Sequence, residues 1–211
     1  MIEYVCKYAP VEILAGFGDE GIQCNLTAHG FERADKLVHR NMCSFSRALI
    51  EHRVETADCP IVLTGCCDSI RRTGYTLSSQ GQKSFMLDLP HNDSQCSREL
   101  YKKELLRFIE EFSDYSGKVF DFEKFMTACG CEHEKAEGHY IVLLGARAGD
   151  ELIEYIRSNS PLPVENRTCT GNRRIGTPPM ANDVNELMEW YAYELLSQRP
   201  CMRMADITAR R

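Results

Sequence analysis

Two cysteine-bearing segments carry the clearest chemistry in this 211-residue chain: NMCSFSRALIEH at 41–52 and TGCCDSIRRTGYTL at 64–77. In each, a cysteine stands where an apolar or turn segment gives way to a helical pattern. A thiol placed there meets the unpaired N–H groups and the positive end of a helix. Both favour the thiolate, the form that ligates metal or acts as a nucleophile. Cys43 and Cys67 each open a separate helix, which predicts one site assembled from two loops. Of the adjacent pair Cys66 and Cys67, one thiol is expected to face that site and the other to pack inward. Cys67, nearer the helix start, is the expected ligand. Cys201, directly after Pro200 in RPCMRM and beyond the last helical pattern, is a candidate third ligand.

The elements that must position these thiols are legible as an alternation. MIEYV, PIVLTG and KSFMLDLP read as strands, the last two as buried parallel ones. PVEILAGF, CSFSRALIEH, DSIRRTGYTLSS and the long SRELYKKELLRFIEEFSDYSG read as helices, the last closed by Gly117. YIVLLG followed by DELIEYIRS restarts the strand–helix pattern, with a second strand near LPVEN and a final helix NDVNELMEWYAYELLSQ. This predicts an α/β fold: a Rossmann-like parallel sheet with flanking helices, followed by an incomplete second α/β unit. The expected division is 1–117 for the first domain, 118–139 for a helical and loop linker, and 140–211 for the partial second domain.

In open α/β sheets, ligands collect beyond the carboxyl ends of the strands. Three such exits are unusually polar or thiol-rich: Gly65–Asp68, Asp88–His91 and Ala146–Gly149. Asp68 and Asp150 also suit plain N-cap duty. TCTGNRRIGTPP at 168–179 adds Cys169 and two arginines, Arg173 and Arg174, which could hold a phosphate or carboxylate through paired donors. The CGC at 129–131 reads more readily as incidental thiols ahead of a solvated loop. His133 and His139 lack the spacing of a zinc hydrolase, and no phosphate-binding or dinucleotide-binding glycine motif is present.

Composition narrows the class. The net charge of −6 gives no footprint for nucleic acid or an anionic membrane surface. No apolar run is long enough to span a bilayer. The N-terminus lacks the pattern of a secretory signal, so the expected compartment is the cytoplasm. Eleven cysteines, an odd number without an export signal, argue against a disulfide framework. Cys6 and Cys24 are expected to be plain core residues.

The segments EYVCKYAPVEIL, CSFSRALIE, GCCDSIRR, FMLDLP, LYKKEL, LLGARAGDEL, TCTGNR and PCMRM resemble, in this order, the 2-hydroxyacyl-CoA dehydratase D-component family, which includes the benzoyl-CoA reductase subunits. The resemblance implies two Rossmann-like domains. It implies an iron–sulfur cluster, typically [4Fe-4S], held by three cysteines, two of which match Cys43 and Cys67. It also implies a coenzyme A thioester substrate and a related dehydratase subunit or homodimer as partner. A separate ATP-dependent iron–sulfur activator would inject one electron, making a substrate ketyl radical anion that loses its hydroxyl as water. Family members are usually longer and carry their third cluster cysteine in the C-terminal domain. Here Cys201, Cys169 or a partner would supply it. The alternatives are an electron-transfer iron–sulfur module, of the type that carries a double-cubane cluster, or a cofactor-free scaffold partner. Arg71, Arg72 or Arg173 are the arginines that could hold the coenzyme A phosphates or the acyl group.

Overall fold

The computed structural model describes residues 1–24, 26, 29–56, 58–129, 138–145, 147–171, 173, 175–180 and 183–198. The chain opens with β1 (Ile2–Tyr4), α1 (Val11–Gly16) and β2 (Gly21–Gln23). Pro10 caps α1, where a missing amide hydrogen gives up no helical bond. The short α2 (Ala34–Leu37) and α3 (Ser44–Thr56) lead to β3 (Ile61–Thr64), α4 (Asp68–Ser79) and β4 (Ser84–Leu87). These strands form one parallel sheet in the order β2-β1-β3-β4. Glu3 sits opposite Ile61, and Ile61 opposite Ser84.

The apolar run of β3 explains its central place. Ile61, Val62 and Leu63 are fully buried, as a strand covered on both faces requires. Helix α5 (Gln95–Ser116) follows β4. Ser94 caps its start by accepting from the Ser97 N–H at 3.2 Å, and Gly117 ends it in the left-handed region at φ 67°. Tyr101, Leu105, Phe108 and Phe112 line the buried face of α5 at helical spacing. Phe85 of β4 meets Phe108 and Phe112 with ring centroids 5.5 and 5.3 Å apart. Each fully buried aromatic or aliphatic side chain of this kind contributes about 1.5–3 kcal/mol.

After α6 (Phe122–Cys129), which packs on α1, come β5 (Ile141–Leu143), α7 (Asp150–Asn159) and β6 (Val164–Asn166). They form a separate two-stranded parallel sheet joined by one helix. The second strand near LPVEN is β6. The last described helix, α8 (Val184–Leu196), is capped by Asp183, which accepts from the Glu186 N–H at 2.9 Å. It returns to pack on α5, so Leu187, Tyr191 and Leu195 join the core of the four-stranded sheet. The architecture is α/β: a parallel sheet with flanking helices and a small second parallel layer. No described helix is long and apolar enough to cross a membrane.

Candidate metal centre

The strand exits converge on one cavity of about 190 Å³. Five cysteines line it: Cys6, Cys43, Cys66, Cys67 and Cys169. Ser46, Thr64 and Arg147 supply its other polar groups, and Val5, Phe45, Ile70 and Leu89 its apolar wall. Each of the three exits singled out above contributes: Cys66 and Cys67 after β3, Leu89 after β4, and Arg147 after β5.

Cys67 is the N-cap of α4, with extended backbone at φ −165° and ψ 163°. Its carbonyl accepts from the Ile70 and Arg71 N–H groups at 3.1 and 3.2 Å, which fixes the residue at the head of the helix. Gly65 makes the approach possible. Its N–H donates to Leu87 O at 2.7 Å, and a Cβ there would stand 2.8 Å from Asp88 Oδ1. Cys43 immediately precedes α3, and its sulfur caps that helix. The Ser46 N–H donates to Cys43 Sγ at 3.5 Å, while the thiol donates to Ser46 Oγ at 3.2 Å. Ser46 is fully buried, and its hydroxyl can turn to donate once the sulfur is ionised.

Cys169 comes from the loop after β6, and hydrogen bonds tie that loop to the first sheet. The Cys169 carbonyl accepts from the Lys7 N–H at 3.0 Å and from Gln23 Nε2 at 3.2 Å. Lys7 Nζ donates to Arg167 O at 2.7 Å. Arg147 makes the second tie. It donates Nη1 to Val5 O at 3.1 Å and Nη2 to Cys24 O, and its guanidinium lies 5.0 Å from the centre of the Phe45 ring. Burial pulls the Arg147 pKa down, opposed by the neighbouring Cys24 and Cys169 thiols. Thr64, the last residue of β3, is 1% exposed, and its Oγ1 has no hydrogen-bond partner among the described residues. A buried hydroxyl without a partner is costly unless a ligand uses it.

Cys43 and Cys67 therefore reach the same cavity from different helices. Cys66, expected to pack inward, lines the cavity too, because the turn between Gly65 and Asp68 leaves both thiols at the strand exit. Cys201 and Arg174 lie outside the described residues. Arg173 is not an anion clamp: it is buried, donating to the Glu12 carboxylate and to Ala9 O. Arg71 is engaged with Asp88 at 2.9 Å, and Arg72 lies over the Tyr75 ring at 5.1 Å; neither lines the cavity. Sequence reasoning missed Thr64, Ser46 and the site role of Cys6. For Thr64 a signal existed: a hydroxyl ending an otherwise apolar buried strand.

Cys24 is buried at 2% exposure, as expected of a core residue, but it is not alone. Ligand atoms of Glu3, Cys24 and His52 all lie within 4.8 Å of one another, in a cluster separate from the five-cysteine cavity.

Residues 6–140 match the family model described as 2-hydroxyglutaryl-CoA dehydratase, D-component. The chain belongs to that family. The matched stretch carries Cys43, Cys66 and Cys67 and ends before Arg147 and Cys169. No match emerges among curated proteins. For a D-component family member, the donor set has a plain chemical sense. Several thiols around one small cavity are soft ligands of the kind that hold iron–sulfur clusters. The N-termini of α3 and α4, with Arg147, supply positive potential against a negatively charged group. The unpartnered Thr64 hydroxyl gives such a group a hydrogen-bond donor. The residues present fit an iron–sulfur cluster.

Proposed function

We propose that this D-component family member is an iron–sulfur subunit of a 2-hydroxyacyl-CoA dehydratase, with Cys43, Cys67 and Cys169 holding a [4Fe-4S] cluster. The observation that carries the reading is the meeting of these three thiols, from three different elements, at one cavity. When bound, such a cluster delivers single electrons and, held by three thiolates, leaves one iron open to a substrate oxygen. The chain's own residues do the rest. Cys43 and Cys67 present sulfur at two helix starts, and Ser46 orients the first. Thr64 donates its hydroxyl hydrogen into the cavity, and Arg147 balances negative charge at its rim. Val5, Phe45, Ile70 and Leu89 keep the wall apolar and limit water.

In this reading the substrate is a coenzyme A thioester of a 2-hydroxy acid, and the reaction is radical elimination of water. The partners are a related dehydratase subunit or a second copy of the chain, and an ATP-dependent iron–sulfur activator. A second reading rests on Cys6 and Cys66. Five cavity thiols exceed the three that one such cluster needs, which suits an electron-transfer module with a larger cluster.

The test is anaerobic purification with iron and sulfide reconstitution, followed by iron and sulfide analysis, Mössbauer spectra and thioester turnover with an activator. The expected result is about four iron per chain, strongly reduced in Cys43→Ser, Cys67→Ser and Cys169→Ser and kept in Cys66→Ser. Clearly more than about four iron per chain without turnover would favour the electron-transfer module with its larger cluster. Colourless protein after reconstitution would defeat both readings and leave a scaffold.

A further inference from the structure

We propose a second metal site in this chain, formed by Glu3, Cys24 and His52, that takes a single borderline-soft divalent cation such as Zn²⁺. It lies outside the five-cysteine cavity and does not rest on the cluster reading. The three ligand atoms come from three elements: a carboxylate on β1, a thiol just after β2, and an imidazole on α3. All lie within 4.8 Å of one another. One carboxylate oxygen, one thiolate and one imidazole nitrogen form a set that Zn²⁺ accepts at about 2.0–2.3 Å, leaving a fourth tetrahedral position for water or a small ligand.

Two of the ligands are already held in place. Cys24 extends the β1–β2 ladder: its N–H donates to Tyr4 O at 2.8 Å, and its carbonyl accepts from Arg147. Glu3 is oriented by Arg53, whose Nη1 donates to Glu3 Oε2 at 2.6 Å, while Nη2 donates to Cys59 O at 2.5 Å. Arg53 is 1% exposed. A ligating carboxylate that is itself hydrogen-bonded is the usual arrangement around a metal, and Arg53 fills that outer position. It engages Glu3 Oε2, and the Cys24 thiol donates a hydrogen bond to the same carboxylate.

The metal-free thiol is protonated. Burial first, and the Glu3 carboxylate second, push its pKa up to about 12. Loading is therefore an exchange in which one Zn²⁺ enters and the thiol proton leaves to solvent. The half-buried positions of Glu3 and His52 give the cation a path in from the surface.

The experiment is titration of chelator-stripped, anaerobic protein with Co²⁺ alone and with Zn²⁺ in competition. It is run on the full-length chain and on a Cys43→Ser/Cys67→Ser/Cys169→Ser variant, with folding checked by circular dichroism. The expected result in that variant is one Co²⁺ per chain, with a sulfur-to-cobalt charge-transfer band and tetrahedral ligand-field bands. Both are lost in Cys24→Ser. His52→Gln removes a ligand without touching the core. It should weaken binding by at least about tenfold, the scale on which even outer partners of a metal act. Isothermal titration in mildly alkaline buffer should register release of about one proton per Zn²⁺, the proton of the Cys24 thiol. A charge-transfer band that survives Cys24→Ser, or affinity unchanged in His52→Gln, overturns the proposal. Failure to bind Co²⁺ in the cavity variant overturns it as well, whatever the iron content of the full-length chain.

Discussion

Arg173 and Glu12, 161 residues apart in sequence, meet as a buried ion pair, each side chain 8% exposed. The Tyr191 hydroxyl donates to the same Glu12 oxygen, and Arg173 Nη1 donates to Ala9 O. Burial opposes the Arg173 charge most strongly, but the Glu12 carboxylate together with Tyr191 and Tyr4 more than offsets it, so the guanidinium is held above its ordinary range. The cluster pins the loop after β6 and helix α8 to α1. Removing one partner strands the other charge in the interior. Glu12→Gln should therefore cost about 3–5 kcal/mol of unfolding free energy, the range for an uncompensated buried ion. Urea unfolding monitored by circular dichroism measures it. A loss of only a few tenths of a kcal/mol would mean that the pair behaves as a solvated surface bridge.

Thr64 offers a direct readout of what fills the five-cysteine cavity. Its hydroxyl is buried with no partner among the described residues, so a bound cluster gives it an acceptor. Hydrogen bonds to cluster sulfur raise the reduction potential by stabilising the added negative charge. Thr64→Val keeps shape and volume and removes the donor. Its midpoint potential should be more negative than that of the unaltered protein at unchanged iron content, with Thr64→Ser restoring the original value. Exchangeable-deuteron couplings in pulsed magnetic resonance should weaken in Thr64→Val. Identical potentials in all three proteins would show that the hydroxyl does not face the occupant.

Arg147 is the strut between the two sheets. It holds Val5 O and Cys24 O at once and covers the Phe45 ring, which needs the width of a planar guanidinium with separate donors. Arg147→Lys keeps the charge but cannot span both carbonyls. Hydrogen exchange at residues 4–7 and 141–143 should accelerate in that variant, and iron of the proposed cluster, once reconstituted, should be lost faster under a chelator. Exchange and iron retention matching the unaltered protein would show the tie between the sheets to be carried by Lys7 and Gln23 instead.

Much of this arrangement was legible in the residues, and the reasons are local. β3 announced itself because a strand covered on both faces has to be apolar throughout. DSIRRTGYTLSS coincides with α4 because Cys67 and Asp68 mark its start and its apolar residues recur at helical spacing. That the exits after β3 and β4 lie side by side follows from parallel topology, whereas the exit after β5 belongs to the other sheet and reaches the cavity through the Arg147 tie. What stayed hidden depends on long-range contact. Nothing local distinguishes Arg173 paired with Glu12 from a solvated arginine in a glycine-rich loop. Cys169 became a cavity residue only when Lys7 and Gln23 tied its carbonyl to the first sheet. Cys24 reads as a small apolar residue until β1 and α3 bring Glu3 and His52 beside it.

The protein should lose stability in mild alkali, and the window can be assigned. Burial, with Glu3 beside it, raises the Cys24 thiol from 9.0 to about 12. Below pH 9 the thiol is protonated in both folded and unfolded chains, and its contribution is fully present. As pH rises toward 12 the unfolded chain releases the proton while the folded one keeps it, so unfolding becomes progressively easier. The limiting slope for one group is about 1.4 kcal/mol per pH unit. Burial likewise raises Tyr101 and Tyr191 above the ordinary tyrosine value of 10.0, which adds the same sign at higher pH. The thiol is thus the first of these groups to act. Urea midpoints of the metal-free protein should fall between pH 9 and 10, and Cys24→Ser, which cannot titrate there, should flatten that part of the curve. Equal slopes in the two proteins over this interval would place the thiol in water rather than in the interior.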